Sequence, residues 1–408
     1  MKLTKEEQQM LDGKKGKGCK LAMEILVDVG KAFGAERMVP VKSAHIVLST
    51  YKSIFDAGVE ALERFAKLKA KASVPTTTDP AGMDLERWKE FNVPLAYAKK
   101  QFRIGDASHA LGFMPCWTCT PYLCGLLPQK GDHLAWTESS AVVFANSILG
   151  ARTNRETAVV DIAAAVAGRI PYHGLHITEN RWGNILIDVK MDKMGTEDYN
   201  ILGYFMGKKA GTKIPVITGL KKNDRFEDYK GMGAAAAASG GVALYHIVGV
   251  TPEAKTIEEA FGKNVPEAKY TFSIKERNQT KAEMCTVKGG EINAVLVGCP
   301  HYTITEMKKV TDLLDGKKVK KGVEFWIYTY KNVELMAERL GYKRIIEKAG
   351  AKITSDTCMI VSPTELWHFK TIMTDSGKCA YYSPTQVQSQ VIFGSIEECV
   401  KGAVKGYK

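Results

Sequence analysis

A chain of 408 residues, 45% of them hydrophobic, is long enough to bury more than one core. Its formal net charge of +12 is spread along the chain in short runs without interleaved aromatic residues, which argues against a nucleic-acid-binding protein. The charged N-terminus has no apolar segment of the kind that directs secretion, and nine cysteines, an odd number, point to reduced thiols. We therefore expect a soluble, cytoplasmic protein.

A long stretch without Asp, Glu, Lys or Arg, Gly231–Val250, has the length of a membrane span. Its many glycines and alanines, with few large apolar side chains, are more typical of a closely packed internal segment. We therefore predict that this segment lies inside the protein and that the chain does not cross a membrane.

The first 85 residues alternate helices, strands and polar loops. We predict helices over Thr4–Leu11, Lys20–Phe33 and Lys52–Ala72, and strands over Arg37–Val41 and Val74–Thr78. In the second helix an apolar residue recurs every four positions, which predicts one buried face. That face comprises Leu21, Ile25, Val29 and Phe33. Two polar loops, SAHIVLSTY and PTTTDPAGMD, fall where strands end, and ligands bind at such positions in open α/β sheets.

Alternation of helices and strands continues through the rest of the chain and is clearest after residue 290. We predict a helix over Glu156–Ala167, strands over Asn184–Lys190 and Lys213–Thr218, and a charged connector over residues 255–290. Beyond it we predict strand Asn293–Val297, helix Thr305–Asp315, strand Glu324–Thr329, helix Val333–Ala349, strand Lys352–Ile353 and an apolar strand at Met359–Val361.

This alternation predicts an α/β fold with mostly parallel sheets that are covered on both faces. We expect residues 1–290 to form one or two α/β lobes and residues 291–408 to form another. The whole chain, residues 1–408, would then act as one catalytic module.

The segment Cys116–Asn154 has the composition expected of a small-molecule pocket. Its threonines, serines and asparagines are interleaved with tryptophan, leucine, valine and phenylalanine. Polar groups set among apolar ones can orient a ligand in a buried site. Glu138 lies inside the apolar context WTESSAVVF, and a buried acid of this kind requires a partner or a role.

Three cysteines occur on loops at separate predicted strand ends and can therefore converge. These are Cys119, Cys299 and Cys358. The local spacing of Cys116, Cys119 and Cys124 is compatible with zinc or with an iron–sulfur cluster, but it does not specify the remaining ligands. Buried cysteines without a metal are the competing explanation.

Several motifs together carry a resemblance to a known family. They are TCTPYL, AWTESSAVVFANSILGARTNRE, SGGVALYHIVGVTPEA, VGCPH, SDTC and FGSIEEC. From about Ser43 to the C-terminus, the chain resembles the large catalytic subunit of aconitase X. The resemblance implies an aconitase-like, multi-lobed α/β fold with mostly parallel sheets, lacking the small swivelling domain. It also implies a hydro-lyase, because the family includes phosphomevalonate dehydratases and cis-3-hydroxy-L-proline dehydratases.

By matching motifs, the resemblance assigns Cys119, Cys299 and Cys358 as ligands of an iron–sulfur cluster. A 4Fe–4S cluster with one open iron site is expected, with 3Fe–4S or 2Fe–2S as alternatives. The resemblance also implies catalytic roles for Glu138, Ser139 and Lys378. The implied substrate contacts are Leu48, Ser49, Thr50, Asp79, Pro80, Glu138, Ser139 and Lys378.

The family also implies a partner. A small subunit that carries the swivelling domain is expected to supply the proton-abstracting serine, and the substrate is expected to be a small anionic hydroxy acid such as (R)-5-phosphomevalonate. Two departures weaken that substrate assignment: Asp79 stands where the family favours asparagine, and the loop Val47–Tyr51 lacks the usual glycine. The extra carboxylate of Asp79 would face the phosphate group of this substrate, and two negative charges close together repel each other.

Three other interpretations follow from the same residues. The substrate can be cis-3-hydroxy-L-proline or another hydroxy acid, or the chain can be a non-catalytic binding or scaffold subunit. A zinc-dependent hydrolase is disfavoured because the sequence has no HExxH motif. We expect His45, His246 and His301 to be buried, hydrogen-bonded residues rather than catalysts.

Overall fold

The computed structural model describes residues 1–407. The α-helices in this range are α1 (Lys5–Leu11), α2 (Lys17–Ala32), α3 (Tyr51–Lys67), α4 (Leu95–Ala110), α5 (Ser139–Phe144), α6 (Ala158–Ala167), α7 (Thr196–Ala210), α8 (Phe226–Ser239), α9 (Ile257–Phe261), α10 (Ile274–Glu283), α11 (Ile304–Leu314), α12 (Lys331–Arg339), α13 (Tyr342–Ala349), α14 (Gly377–Tyr382) and α15 (Ile396–Lys405).

The strands in the same range are β1 (Met38–Pro40), β2 (Ala44–Ile46), β3 (Thr76–Thr78), β4 (Ala135–Trp136), β5 (Arg169–Pro171), β6 (Ile185–Val189), β7 (Pro215–Thr218), β8 (His246–Ile247), β9 (Ala268–Phe272), β10 (Ala294–Val297), β11 (Glu324–Thr329), β12 (Lys352–Ser355), β13 (Thr371–Thr374) and β14 (Gln390–Phe393).

Three sheets in which every pairing is parallel organise these elements. Their strand orders are β3-β2-β4, β8-β7-β6-β9 and β12-β11-β10-β13-β14. A short antiparallel pair of β1 and β5 is the exception. The predicted α/β fold with mostly parallel sheets is confirmed.

The five-stranded sheet is apolar because both of its faces are covered. In β10 the side chains of Val295 and Val297 enter one hydrophobic core, while those of Ala294 and Leu296 enter another. Since successive side chains of a strand point to opposite faces, a strand covered on both sides must be apolar throughout. This is why Asn293–Val297 could be recognised as a strand.

Helix α8 consists mainly of glycine and alanine and packs against α5, α7 and α14. A Cβ atom on Gly233 would lie 2.9 Å from the side chain of Val143 in α5. A Cβ atom on Gly377 at the start of α14 would lie 2.7 Å from that of Ala235. Small residues at these contacts therefore allow α5 and α14 to approach α8 closely.

The position of α8 confirms that the first part of Gly231–Val250 is a packed internal segment, because Gly231–Ser239 is buried. Within residues 1–407, no helix combines the length and the apolar composition needed to cross a membrane.

One predicted helix face is wrong. The most deeply buried residues of α2 are Ala22, Met23 and Leu26. The predicted stripe of Leu21, Ile25 and Val29 lies at the edge of that face and is only partly buried, and Phe33 is 66% exposed. The four-residue spacing identified the helix but not its most buried side, because a second apolar stripe lies beside the first.

Several other element predictions need correction. The charged connector over residues 255–290 contains α9, β9 and α10, and β9 joins a parallel sheet. The predicted strand Arg37–Val41 contains β1, which pairs only with β5. The strand of this region that joins a parallel sheet is β2 instead. Helix Val333–Ala349 is two helices separated at Gly341, whose φ is +77°. Met359–Val361 is a turn.

The variant Gly203→Ala should destabilise the fold. Its Cβ atom would lie 2.1 Å from the carbonyl oxygen of Met232 in α8, a backbone atom that moves only with its helix. We expect the free energy of unfolding to fall by about 2–3 kcal/mol, as in other overpacked cores, measured from the urea midpoint.

Gly105→Ala in α4 is the matched control for that variant. Nothing lies within 4 Å of a Cβ atom placed on Gly105. The better helix propensity of alanine should therefore leave the stability unchanged or raise it. Equal midpoints for the two variants would contradict the close contact between α7 and α8.

Candidate functional site

The carboxyl ends of strands in two parallel sheets carry nearly all of the residues singled out above. Leu48, Ser49 and Thr50 follow β2, Asp79 and Pro80 follow β3, Glu138 and Ser139 follow β4, Cys299 follows β10, Cys358 follows β12 and Lys378 follows β13. Parallel strands present their carboxyl ends at one edge, so residues distant in sequence meet there.

Cys119 reaches the same edge by a different route. The segment before it runs beside β3, with the Met114 N–H donating to the Thr76 carbonyl at 2.7 Å and the Thr118 N–H donating to the Thr78 carbonyl at 3.1 Å. Cys119 therefore lies where the chain leaves the edge of the β3-β2-β4 sheet, next to Asp79, although no regular strand precedes it.

The cysteines Cys119, Cys299 and Cys358 are free thiols that are 6–7% exposed. The Cys299 and Cys358 side chains interact, which raises the pKa of Cys299 and lowers the pKa of Cys358. Burial raises the pKa of Cys119, and the charges of Glu138 and Asp79 raise it further. The three thiols thus share one buried region with these acids.

Within residues 1–407, no three or more His, Cys, Asp or Glu side chains are placed to hold a metal ion. A mononuclear zinc site would need its ligands around one ion at about 2.0–2.3 Å. An iron–sulfur cluster makes a different demand, because each of its cysteines binds a separate iron and the sulfurs stand farther apart.

His301 lies between the cysteine loops and is fully buried. One ring nitrogen lies 2.8 Å from the carbonyl oxygen of Thr357, and the other lies 3.1 Å from the hydroxyl of Thr118. Burial lowers the pKa of His301 to about 3, so the ring is neutral. His45 and His246 are also buried and hydrogen-bonded, as predicted.

Glu138 and Lys378 form a buried ion pair between the two sheets. Glu138 is the N-cap of α5, and its carboxylate accepts hydrogen bonds from the Ala141 N–H at 2.7 Å and the Ser140 hydroxyl at 2.6 Å. Lys378 lies in the first turn of α14. Since α5 and α14 both pack on α8, the close helix contacts hold the two charges together.

The charges of this pair are mutually stabilised. Burial acts to raise the pKa of Glu138, but Lys378 and the hydrogen-bond donors outweigh it and lower the pKa to about 2. Burial acts to lower the pKa of Lys378, but Glu138 and the sulfurs of Cys299 and Cys119 outweigh it and hold the pKa well above its usual value. Ser139 lies beside the pair, with its hydroxyl 3.3 Å from the Glu138 carboxylate.

Asp79 and His45 form a second buried polar pair, with 3.3 Å between His45 Nε2 and Asp79 Oδ1. Burial raises the pKa of Asp79 to about 6, and the nearby Glu138 charge adds to this effect. Asp79 is therefore still mostly ionised at pH 7, but it takes up a proton at about pH 6, well above the range of an exposed aspartate.

The loop Leu48–Thr50 is tied to two neighbouring loops. The Ser49 hydroxyl donates to the Pro80 carbonyl at 3.1 Å, and the Thr50 hydroxyl donates to the Val361 carbonyl at 2.9 Å. Gln101 of α4 donates to the Ser49 carbonyl at 2.7 Å and accepts from the Gly82 N–H at 3.0 Å. These contacts fix the loop near the turn that follows Cys358.

Two supporting residues were missed in the sequence. Gln101 lies on α4, a helix that was not predicted. Lys230 is buried, and its ammonium donates to the His301 carbonyl at 2.8 Å and pairs with Glu306 at 2.6 Å. A signal existed for Lys230, because it is the charged residue directly before the long uncharged segment. Lysine beside glycines and alanines indicates a buried charge with a specific partner.

Comparison with known families covers almost the whole chain. Residues 1–179 match the first domain of aconitase X, residues 183–282 match its second domain and residues 292–405 match its third domain.

Individual relatives agree with these matches. The chain is 42% identical to the phosphomevalonate dehydratase large subunit of Methanocaldococcus jannaschii, over 98% of this chain and 100% of that protein. It is 34% identical to the cis-3-hydroxy-L-proline dehydratase of Pseudomonas aeruginosa, over 98% of this chain and 69% of that protein.

A solved structure shares the fold. The crystal structure of aconitase X from Thermococcus kodakaraensis, in its holo-form, superposes with a TM-score of 0.88 at 38% identity. The superposition covers 99% of this chain and 100% of that one. Three consecutive domain matches, relatives aligned over 98% of this chain and a common fold lead to one conclusion: the chain belongs to the aconitase X family.

Proposed function

We propose that this chain is the large subunit of an iron–sulfur-dependent dehydratase that removes water from a small anionic hydroxy acid, with (R)-5-phosphomevalonate as the preferred candidate. The observation that carries the proposal is the convergence of three buried free cysteines beside the ion pair of Glu138 and Lys378. Similarity to phosphomevalonate dehydratase large subunits supports the choice of substrate.

The donor set fits a cluster. Cys119, Cys299 and Cys358 are buried thiols on three loops, and thiolates are the ligands that hold iron–sulfur clusters. Three cysteines on a 4Fe–4S cluster leave one iron without a protein ligand. When bound, such a cluster supplies a Lewis acid for the departing hydroxyl group. The positive charge of Lys378 next to the sulfurs also favours the deprotonated, metal-binding form of the thiols.

Lys378 is assigned to binding an anionic group of the substrate. Its ammonium is charged, lies among the candidate ligands and can pair with a carboxylate. Glu138, with a pKa of about 2, is a weak base and a poor proton donor near neutral pH. We therefore assign Glu138 to orienting Lys378 and Ser139, and Ser139 Oγ to hydrogen bonding with the substrate.

The loop Leu48–Thr50 is assigned to the phosphate group. It leads directly into α3, with Thr50 as the N-cap residue, and helix N-termini favour anions because their backbone N–H groups point outward. Asp79 is compatible with this role because a bound anion would raise its already elevated pKa further and so favour the protonated, neutral carboxyl. The repulsion expected from an acid at position 79 is then reduced.

The proposed partner is a small subunit with the swivelling domain and the proton-abstracting serine. Relatives named as large subunits support the existence of a second chain. The Pseudomonas aeruginosa protein supports it from another direction, since 69% of its length aligns with this chain and the rest is additional.

The first test is cluster binding and turnover. After anaerobic reconstitution, the wild-type chain should contain iron and sulfide and, with its small subunit, should dehydrate phosphomevalonate, followed as loss of one water by mass spectrometry. Cys299→Ser should retain about tenfold less iron or worse, because a serine hydroxyl is a poorer iron ligand than a thiolate.

Cys399→Ser is the matched control, because Cys399 is also buried but packs in the apolar core around α15. It should keep both iron and activity. Iron-free wild-type protein after reconstitution would contradict the proposal. Turnover of cis-3-hydroxy-L-proline in place of phosphomevalonate would assign the alternative substrate.

The second test separates catalysis from stability at the ion pair. Lys378→Met leaves the Glu138 carboxylate buried without its counter-charge, so the free energy of unfolding should fall by about 3–5 kcal/mol. Activity should fall by about 10²-fold or more, since the substrate anion loses its cation. The measurements are urea unfolding and initial rates of the reconstituted enzyme.

The double variant Lys378→Met with Glu138→Gln removes both charges and should regain most of the lost stability. It should nevertheless remain inactive. Recovery of activity together with stability would mean that Lys378 has only a structural role.

A further inference from the structure

His301 makes hydrogen bonds to residues in both of the other cysteine loops. Its backbone N–H donates to the Cys119 sulfur at 3.3 Å. Its ring contacts Thr118, the neighbour of Cys119, and Thr357, the neighbour of Cys358. His301 itself lies two residues after Cys299, so one side chain and its backbone connect all three loops.

The hydrogen-bond partners determine which ring nitrogen carries the proton. Nε2 lies 2.8 Å from the Thr357 carbonyl oxygen, which can only accept, so Nε2 is the donor. Nδ1 is then an acceptor, and the Thr118 hydroxyl donates to it at 3.1 Å. The hydroxyl accepts in turn from the Thr120 N–H at 3.2 Å. Every polar atom of the His301 ring is thus used to join two loops.

The backbone of His301 is held from the opposite side. The buried Lys230 ammonium donates to its carbonyl oxygen at 2.8 Å and pairs with Glu306 at 2.6 Å. Glu306 also completes the capping box of α11, in which it accepts from the Thr303 N–H at 2.8 Å. The loop after Cys299 is therefore anchored to both α8 and α11, and the ring of His301 extends from that anchor.

We propose that His301 is the positioning residue that orients the loops of Cys119, Cys299 and Cys358 relative to one another, so that the three cysteines could together hold an iron–sulfur cluster. This inference rests on the proposed function, because it assumes that the three cysteines bind a cluster. Residues that orient metal ligands without touching the metal commonly change metal affinity by about 10- to 100-fold when they are replaced.

The test is the rate at which a chelator removes iron from the anaerobically reconstituted chain. His301→Ala loses both ring contacts and should release iron about 10- to 100-fold faster than the wild type. His301→Gln can still donate to the Thr357 carbonyl, but its amide oxygen does not lie where Nδ1 accepts from Thr118, so its rate should lie between the two. Thr118→Val, which removes only the hydroxyl, should also release iron faster than the wild type.

His246→Ala is the matched control. His246 is buried and its Nε2 lies 2.7 Å from the Arg181 carbonyl oxygen, a contact like that of His301 but in a different part of the fold. Thermal unfolding of the iron-free proteins measures the general loss of stability in each variant. We expect His246→Ala to unfold at a lower temperature and to release iron at the wild-type rate.

Two results would overturn the inference. Iron release from His301→Ala at the wild-type rate would mean that the ring does not position the loops. Equal acceleration in His301→Ala and His246→Ala would mean that iron release follows general stability. Wild-type protein that binds no iron would instead overturn the proposed function, and this inference with it.

Discussion

The close approach of α5 and α14 to α8 is the constraint on which the site depends. Glycine and alanine at the contacts bring the N-terminal turns of two helices together, and Glu138 and Lys378 lie in those turns. An isolated charge buried at this depth would be costly, whereas the pair is stabilised by mutual attraction and by the Ser140 and Ala141 donors. Helix packing thus determines which charges meet in the candidate site.

The cysteine loops are also held in place by buried contacts, but these are hydrogen bonds rather than close helix packing. Each loop leaves the carboxyl edge of a parallel sheet, where the regular strands have ended and isolated bridges such as Ala81 with Thr357 remain. Buried polar groups supplement these bridges, with His301 at the centre and Lys230 behind it. A lysine that is 2% exposed persists there because both the Glu306 carboxylate and a backbone carbonyl satisfy it. The polar network and the small-residue helix therefore support one site from two sides.

Elements with simple patterns could be predicted from the sequence. Strand Glu324–Thr329 has the predicted bounds. Cys299 and Cys358 follow strands of one parallel sheet, whereas Cys119 comes from the first sheet with no regular strand before it and contacts the loop after Cys299 through the His301 N–H. Strand β9 was missed because it is an edge strand whose exposed residues, Lys269 and Thr271, are polar and interrupt the apolar pattern. The pairing of Glu138 with Lys378 depends on three helices meeting, which no local pattern encodes.

The most direct measurement of the central claim is the position of iron in the protein. Crystals of the anaerobically reconstituted chain, with its small subunit, can be measured at the iron absorption edge for an anomalous difference map. The account predicts one strong peak bounded by the sulfurs of Cys119, Cys299 and Cys358 and next to the ammonium of Lys378. Iron located anywhere else in such crystals, with these three thiols unligated, would contradict it.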